Sequence, residues 1–110
     1  LFHNSDIYVR ICKKVADKEE KMTDKEWEEL TAAINATYND FTSRLLALHR
    51  FSSIEMNICL LLKAKFPVTA IANLTMRSKP AITSARRAMY EKVHGVKGKA
   101  EDWDNFIASF

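Results

Sequence analysis

The sequence predicts an all-α protein: a helical bundle containing a helix-turn-helix, with buttressing helices before it and a packing helix after it. The 110 residues include only two glycines and two prolines, too few for the many turns of an all-β protein. Apolar residues recur at three- and four-residue spacing in successive segments, which is the period of amphipathic helices. Serine or threonine stands before several of these segments, where a helix needs a capping side chain.

Residues 1–50 are predicted to form an N-terminal helical extension. Its first helix, 6–17, begins after Ser5, and its apolar face is formed by Ile7, Ile11 and Val15. A polar break over 18–21 follows. The next helix begins with Thr23 and Glu26, whose spacing is that of a capping box. A short third helix follows Asn39 or Asp40, and its predicted core residues are Phe41, Leu45, Leu46 and Leu48.

Residues 51–95 are predicted to form the helix-turn-helix, with a supporting helix ahead of it. Ser52 and Glu55 repeat the capping-box spacing at the start of this support, 53–64, which is apolar on most sides and is therefore central. Pro67 then separates it from the following helix.

The helix pair itself consists of a short helix over 68–74, a turn over 75–77 and a longer helix over 78–93. Ser78 is the predicted N-cap of the second helix, and Gly95 ends it. The predicted inward positions of that helix are Ile82, Ala85, Met89 and Val93.

Residues 96–110 are predicted to form a linker and a last helix beginning near Glu101. This helix has one aromatic face, formed by Trp103, Phe106, Ile107 and Phe110. The face must pack on the bundle or on a second chain, so a homodimer through the aromatic helix is one predicted assembly.

Charge is unevenly distributed along the chain. The net charge is +6 over 51–98, but −1 over 1–50 and −2 over 99–110. A basic segment of this kind favours an anionic partner, and double-stranded DNA is the first candidate.

The outward residues of the second helix and its turn are the predicted DNA contacts. Lys79, Thr83 and Ser84 lie in the first two turns, the end that ordinarily reaches base edges. Arg87 would reach a guanine or a phosphate, while Arg86 and Lys92 are placed for phosphates. The complete predicted set is Arg77, Ser78, Lys79, Thr83, Ser84, Arg86, Arg87 and Lys92.

Several residues of this segment match a known pattern: Ser52, Glu55, Ile58, Leu61, Leu62, Ile71, Ala72, Ser78, Ile82, Met89, Lys92 and Val93. On these residues, 51–95 resembles the LuxR-type helix-turn-helix domain of bacterial transcription regulators. The whole chain is more loosely similar to the C-terminal part of regulators that carry tetratricopeptide repeats. The departures are Lys65 and Met76 in place of glycines, Arg77 in place of an apolar residue, and Ala85 in place of a polar one. The resemblance implies DNA binding, usually as a dimer, behind an upstream sensor region.

Other classes of function are less well supported by the sequence. No triad, phosphate-binding glycine loop or metal-ligand spacing is present, so we predict no enzyme activity, no catalytic residues, no metal and no cofactor. No apolar run is long enough to span a membrane, so no membrane contact is predicted. We interpret Cys12 and Cys59 as reduced thiols of a cytoplasmic protein, with a disulfide between them as the alternative. The alternative function is an all-helical protein-interaction module without DNA binding.

Overall fold

The chain is all-helical over the residues that its computed structural model describes, 1–17 and 21–110, and it contains no strand there. The predicted polar break at 18–21 therefore lies mostly outside the described residues. A short 3-10 helix over Phe2–Asn4 precedes the α-helices. These are α1 (Asp6–Ala16), α2 (Asp24–Thr37), α3 (Phe41–Leu46), α4 (Ser53–Lys63), α5 (Val68–Thr75), α6 (Lys79–His94) and α7 (Ala100–Ser109).

Both predicted capping boxes are formed. The Thr23 backbone N–H donates to Glu26 Oε1 at 2.9 Å, and the Glu26 N–H donates to Thr23 Oγ1 at 3.2 Å. Ser52 and Glu55 exchange the same two hydrogen bonds, at 2.9 and 3.2 Å. These pairs satisfy backbone donors that a helix start leaves unpaired, which is why α2 and α4 begin where the sequence predicts.

One hydrophobic core joins residues from all three predicted segments. Its largest fully buried side chains are Ile11, Leu30, Ile34, Phe41, Leu45, Ile58, Leu60, Leu61, Ile71, Ile82, Met89 and Trp103. Trp103 and Ile107 of α7 are completely buried within the chain. The aromatic helix thus packs on its own bundle, which is the first of the two arrangements that the sequence left open.

Two predicted core residues are not in the core. Leu46 and Leu48 are 48% and 46% exposed. The reason is the length of α3, which has only six residues, so that a single apolar stripe of Phe41 and Leu45 faces inward. The predicted cap is also different: Asp40 makes no side-chain cap, and Asn35 Oδ1 instead accepts from the Thr42 N–H at 2.9 Å.

Lys65 and Met76 adopt the left-handed backbone that glycine usually supplies, with φ of 68° and 59°. After α4, the Lys65 N–H donates to Leu62 O at 2.9 Å and the Phe66 N–H to Leu61 O at 3.1 Å. After α5, the Met76 N–H donates to Asn73 O at 3.2 Å and the Arg77 N–H to Ala72 O at 3.0 Å. Both patterns are Schellman motifs, so the two turns form without glycine.

Candidate nucleic-acid interface

The arrangement of α4, α5 and α6 is a helix-turn-helix with its supporting helix. The residues 76–78 join α5 to α6, and α4 packs against both helices. Ser78 Oγ accepts from the Ala81 N–H at 3.2 Å and caps α6, as the sequence predicts. The second helix of the pair is therefore fixed at its start, with one face on the core and another facing outward.

The outward face of α6 carries a stripe of three predicted DNA contacts: Lys79, Thr83 and Arg87. They are spaced four residues apart, so each is offset from the previous one by about 40° around the helix. Lys79 and Arg87 are exposed and Thr83 is half-buried. Neither cation has an ion-pair partner among residues 1–17 and 21–110. Their charges are free to meet an anion.

Two further predicted contacts lie beside this stripe. Arg77 is exposed in the turn that precedes α6, and its side chain has no ion pair within the described part of the chain. Ser84 is exposed and lies about 100° around the helix from Thr83. Both side chains are thus accessible near the N-terminal half of α6.

The prediction that Arg86 is an outward phosphate contact is wrong. Arg86 is only 4% exposed, and it pairs with Asp104 of α7. Its Nε donates to Asp104 Oδ1 at 2.9 Å, and Nη2 donates to the other carboxylate oxygen. The buried stripe of α6 therefore runs through Ile82, Arg86 and Met89, while Ala85 is only half-buried.

The spacing of Ile82, Arg86 and Met89 is that of a helical stripe, and it could have revealed this burial. Ala85 fits the same stripe, and an arginine is rarely buried unless it is paired, so the sequence alone favours an inward Ala85 and an outward Arg86. The pairing partner could not be identified from the sequence, because Asp104 lies on a different helix, 18 residues further along the chain.

Lys92 is accessible but is held on another side of α6. Its Nζ lies 3.1 Å from Glu55 Oε2, so it links the end of α6 to the start of α4. Burial by itself raises the pKa of Glu55, but the hydrogen bonds that its carboxylate accepts from the Ser52 N–H and from Lys92 lower the pKa by more, so the net shift is downward. Lys92 lies about 140° around the helix from Arg87 and is not part of the stripe.

A cavity of about 280 Å³ lies between α6 and the start of α7. It is lined by Thr83, Arg86, Arg87, Gly98, Lys99, Ala100 and Glu101. From the sequence, 96–99 is predicted only as a linker, and its contribution to the cavity wall becomes visible only in the structure. A pattern search could not have found the cavity, because its two walls are separated by more than ten residues and meet only through packing.

The far end of α7 is held by a buried lysine. Lys63 Nζ donates to Ile107 O at 3.2 Å and to Ala108 O at 3.3 Å, and it lies 4.7 Å from the centre of the Tyr38 ring. Burial lowers the pKa of Lys63, and the nearby charges of Arg44 and Lys65 lower it further. A cation at the carboxyl end of α7 complements the helix dipole there.

The rest of the described chain shows little sign of other chemistry. Residues 1–17 and 21–110 contain no cluster of His, Cys, Asp or Glu able to hold a metal ion. Over the same residues, no helix has the length and apolar character needed to cross a membrane. Cys12 and Cys59 are not joined by a disulfide, and burial raises the pKa of the Cys59 thiol to about 12.

Comparison of the chain with protein-family models, curated proteins and solved structures finds no match. The class of protein therefore rests on the structure alone. It is an all-helical bundle that contains a helix-turn-helix, and the second helix of the pair carries exposed cations. The likeness to the LuxR-type domain stays a prediction.

Proposed function

We propose that this chain is the DNA-binding part of a transcription regulator and that α6 inserts into the major groove of double-stranded DNA. The observation that carries the proposal is the outward stripe of Lys79, Thr83 and Arg87 on the second helix of a helix-turn-helix. Two unpaired cations flank a hydroxyl there, and the opposite face of the helix is seated on the core.

Each residue of the stripe has a distinct expected role. Arg87 can form two parallel hydrogen bonds either with O6 and N7 of a guanine or with two oxygens of a phosphate, and Lys79 offers a point charge to a base edge or a phosphate. The Thr83 hydroxyl and methyl suit a base edge. Arg77, in the preceding turn, would contact the sugar-phosphate backbone of the DNA. Arg86 has no place in this set because Asp104 neutralises it.

The proposal also covers the compartment, the region upstream of this chain and the oligomeric state. Such a regulator would act in the cytoplasm, would carry a sensor region ahead of this chain and would bind a two-fold site as a homodimer. Two unbonded thiols are compatible with a reducing compartment. Phe106 of α7 and Phe110, which directly follows α7, remain partly exposed. Dimerisation through this helix would use them, since Trp103 and Ile107 are already buried.

Fluorescence anisotropy on a labelled random duplex, at several salt concentrations, tests the proposal. If Arg77, Lys79 and Arg87 each meet a phosphate on non-specific duplex, these three contacts should together contribute about −2.7 to the log–log slope of affinity against salt. The double variant Lys79→Ala/Arg87→Ala should bind much more weakly, whereas Lys13→Ala/Lys25→Ala, which also removes two exposed cations but from α1 and α2, should not. An unchanged affinity in the double variant would rule out this face. An absence of duplex binding at low salt would favour the protein-interaction module.

A further inference from the structure

The cavity between α6 and α7 borders the proposed DNA-binding stripe. Thr83 and Arg87 belong both to the stripe and to the cavity wall. We propose that this cavity binds a backbone phosphodiester of duplex DNA, so that the 96–99 loop and the start of α7 form a second DNA-contact element. This inference rests on the proposed function and identifies where one backbone strand would lie.

The position of the cavity agrees with the dimensions of DNA. A helix with its side chains is about 10–12 Å wide and the major groove is about 12 Å wide, so a helix in the groove has a sugar-phosphate strand on each flank. The cavity borders one edge of the stripe, because Thr83 and Arg87 belong to both. A duplex seated on Lys79, Thr83 and Arg87 would bring one of its strands along that edge.

The charges that line the cavity suit a monoanion. Arg87 and Lys99 have no ion-pair partner within the described residues, and the exposed Glu101 opposes them. Arg86 also lines the cavity, but Asp104 already neutralises its charge. The unneutralised charge is therefore close to +1, which matches the single charge of a phosphodiester better than the nearly double charge of a terminal phosphate.

The loop that brings Lys99 into the cavity wall packs closely against Tyr90 of α6. A Cβ on Gly98 would lie 2.6 Å from two ring carbons of Tyr90 and 2.9 Å from Asp102 Oδ2, so glycine is required for this close approach. The Lys99 N–H donates to Asp102 Oδ2 at 2.7 Å. That backbone donor is occupied, and we assign the attraction for an anion to the Lys99 and Arg87 side chains.

Three single variants and duplex anisotropy at 50 and 200 mM salt test this inference. Lys99→Ala should weaken binding by about three- to ten-fold at 50 mM and should reduce the salt slope by about 0.9, the value for one lost phosphate. Glu101→Gln removes the opposing charge and should strengthen binding by a few-fold. Lys97→Ala is the matched control, because Lys97 is an exposed lysine in the same loop that does not line the cavity, and it should have the smaller effect.

The outcomes separate this inference from the proposed function. If Lys79→Ala/Arg87→Ala abolishes binding but Lys99→Ala and Lys97→Ala are equally mild, α6 binds DNA and the cavity does not. If the wild-type chain does not bind duplex at all, the proposed function fails first. Thermal unfolding of each variant verifies that the fold is intact.

Amide chemical shifts identify the anion that occupies the cavity. Titration with duplex should shift the Gly98, Lys99 and Ala100 amides of the wild-type chain, and these shifts should shrink in Lys99→Ala. Shifts caused by inorganic phosphate but not by duplex would overturn the DNA assignment in favour of a free phosphate. An absence of shifts at these amides in DNA-saturated protein would also overturn it.

Discussion

Mutation of the two adjacent arginines of α6 should affect different properties, namely stability for Arg86 and DNA affinity for Arg87. Arg86 is buried and paired with Asp104, whereas Arg87 is exposed and unpaired within the described residues. Replacing each with Met keeps most of the side-chain volume and removes the charge. We expect Arg86→Met to reduce the free energy of unfolding and Arg87→Met to reduce the affinity for DNA.

The size of the stability loss follows from the surroundings of the pair. Breaking a fully buried ion pair by removing one partner costs about 3–5 kcal/mol, because the remaining charge is left without water or a partner. The Asp104 side chain is 29% exposed, so part of its charge can be rehydrated. We therefore expect a loss of about 2–3 kcal/mol for Arg86→Met, which lowers the melting temperature by about 10 °C in a chain of this size.

Urea unfolding followed by far-UV circular dichroism measures this loss, and the same samples serve for duplex anisotropy. Arg87→Met should change stability by less than about 0.5 kcal/mol, as is usual for an exposed side chain without partners. Adding Asp104→Leu to Arg86→Met should restore part of the loss, because both members of the pair are then apolar. An Arg86→Met protein with wild-type stability and weakened DNA binding would refute the assignment and restore Arg86 to the contact surface.

Three further predictions concern stability. Met76→Gly should raise the free energy of unfolding by about 0.5–1 kcal/mol in urea titrations, since glycine accepts positive φ without strain, whereas Ala32→Gly on the exposed face of α2 should lower it by about 1 kcal/mol. The pKa of Glu55 is lowered below its ordinary 4.5, so the ionised carboxylate stabilises the fold above pH 4.5 and this contribution is lost as the pH falls further. Glu55→Gln should therefore make the free energy of unfolding less dependent on pH in that acid range. Lys63→Ala should destabilise the chain by about 2 kcal/mol in thermal unfolding, because the Ile107 carbonyl loses its buried donor; an equal loss in exposed Lys65→Ala would contradict this reason.

The helices were predictable because their determinants are local. Thr23 with Glu26, Ser52 with Glu55, and Ser78 each act within one turn of the helix that they begin. Such contacts depend on short sequence spacing, and a pattern can therefore identify them.

The candidate site was only partly predictable because it depends on contacts between helices. The outward stripe of Lys79, Thr83 and Arg87 follows from the period of one helix. The burial of Arg86 depends on Asp104, and the cavity depends on the approach of Gly98 to Tyr90. None of these partners can be inferred from spacing along the chain. The exposure of Leu46 and Leu48 depends in turn on where α3 ends.

The anchoring of α7 at three points has a consequence for the kinetics of association. Gly98 against Tyr90, Asp104 against Arg86 and the Ile107 carbonyl against Lys63 hold this helix before any partner arrives. Because α7 is already held in place, it does not have to become ordered when a partner binds, and binding requires only that the two surfaces meet in the right orientation. The bimolecular rate constant should then be set by diffusion and long-range attraction, and it should fall as ionic strength rises without a slow unimolecular phase.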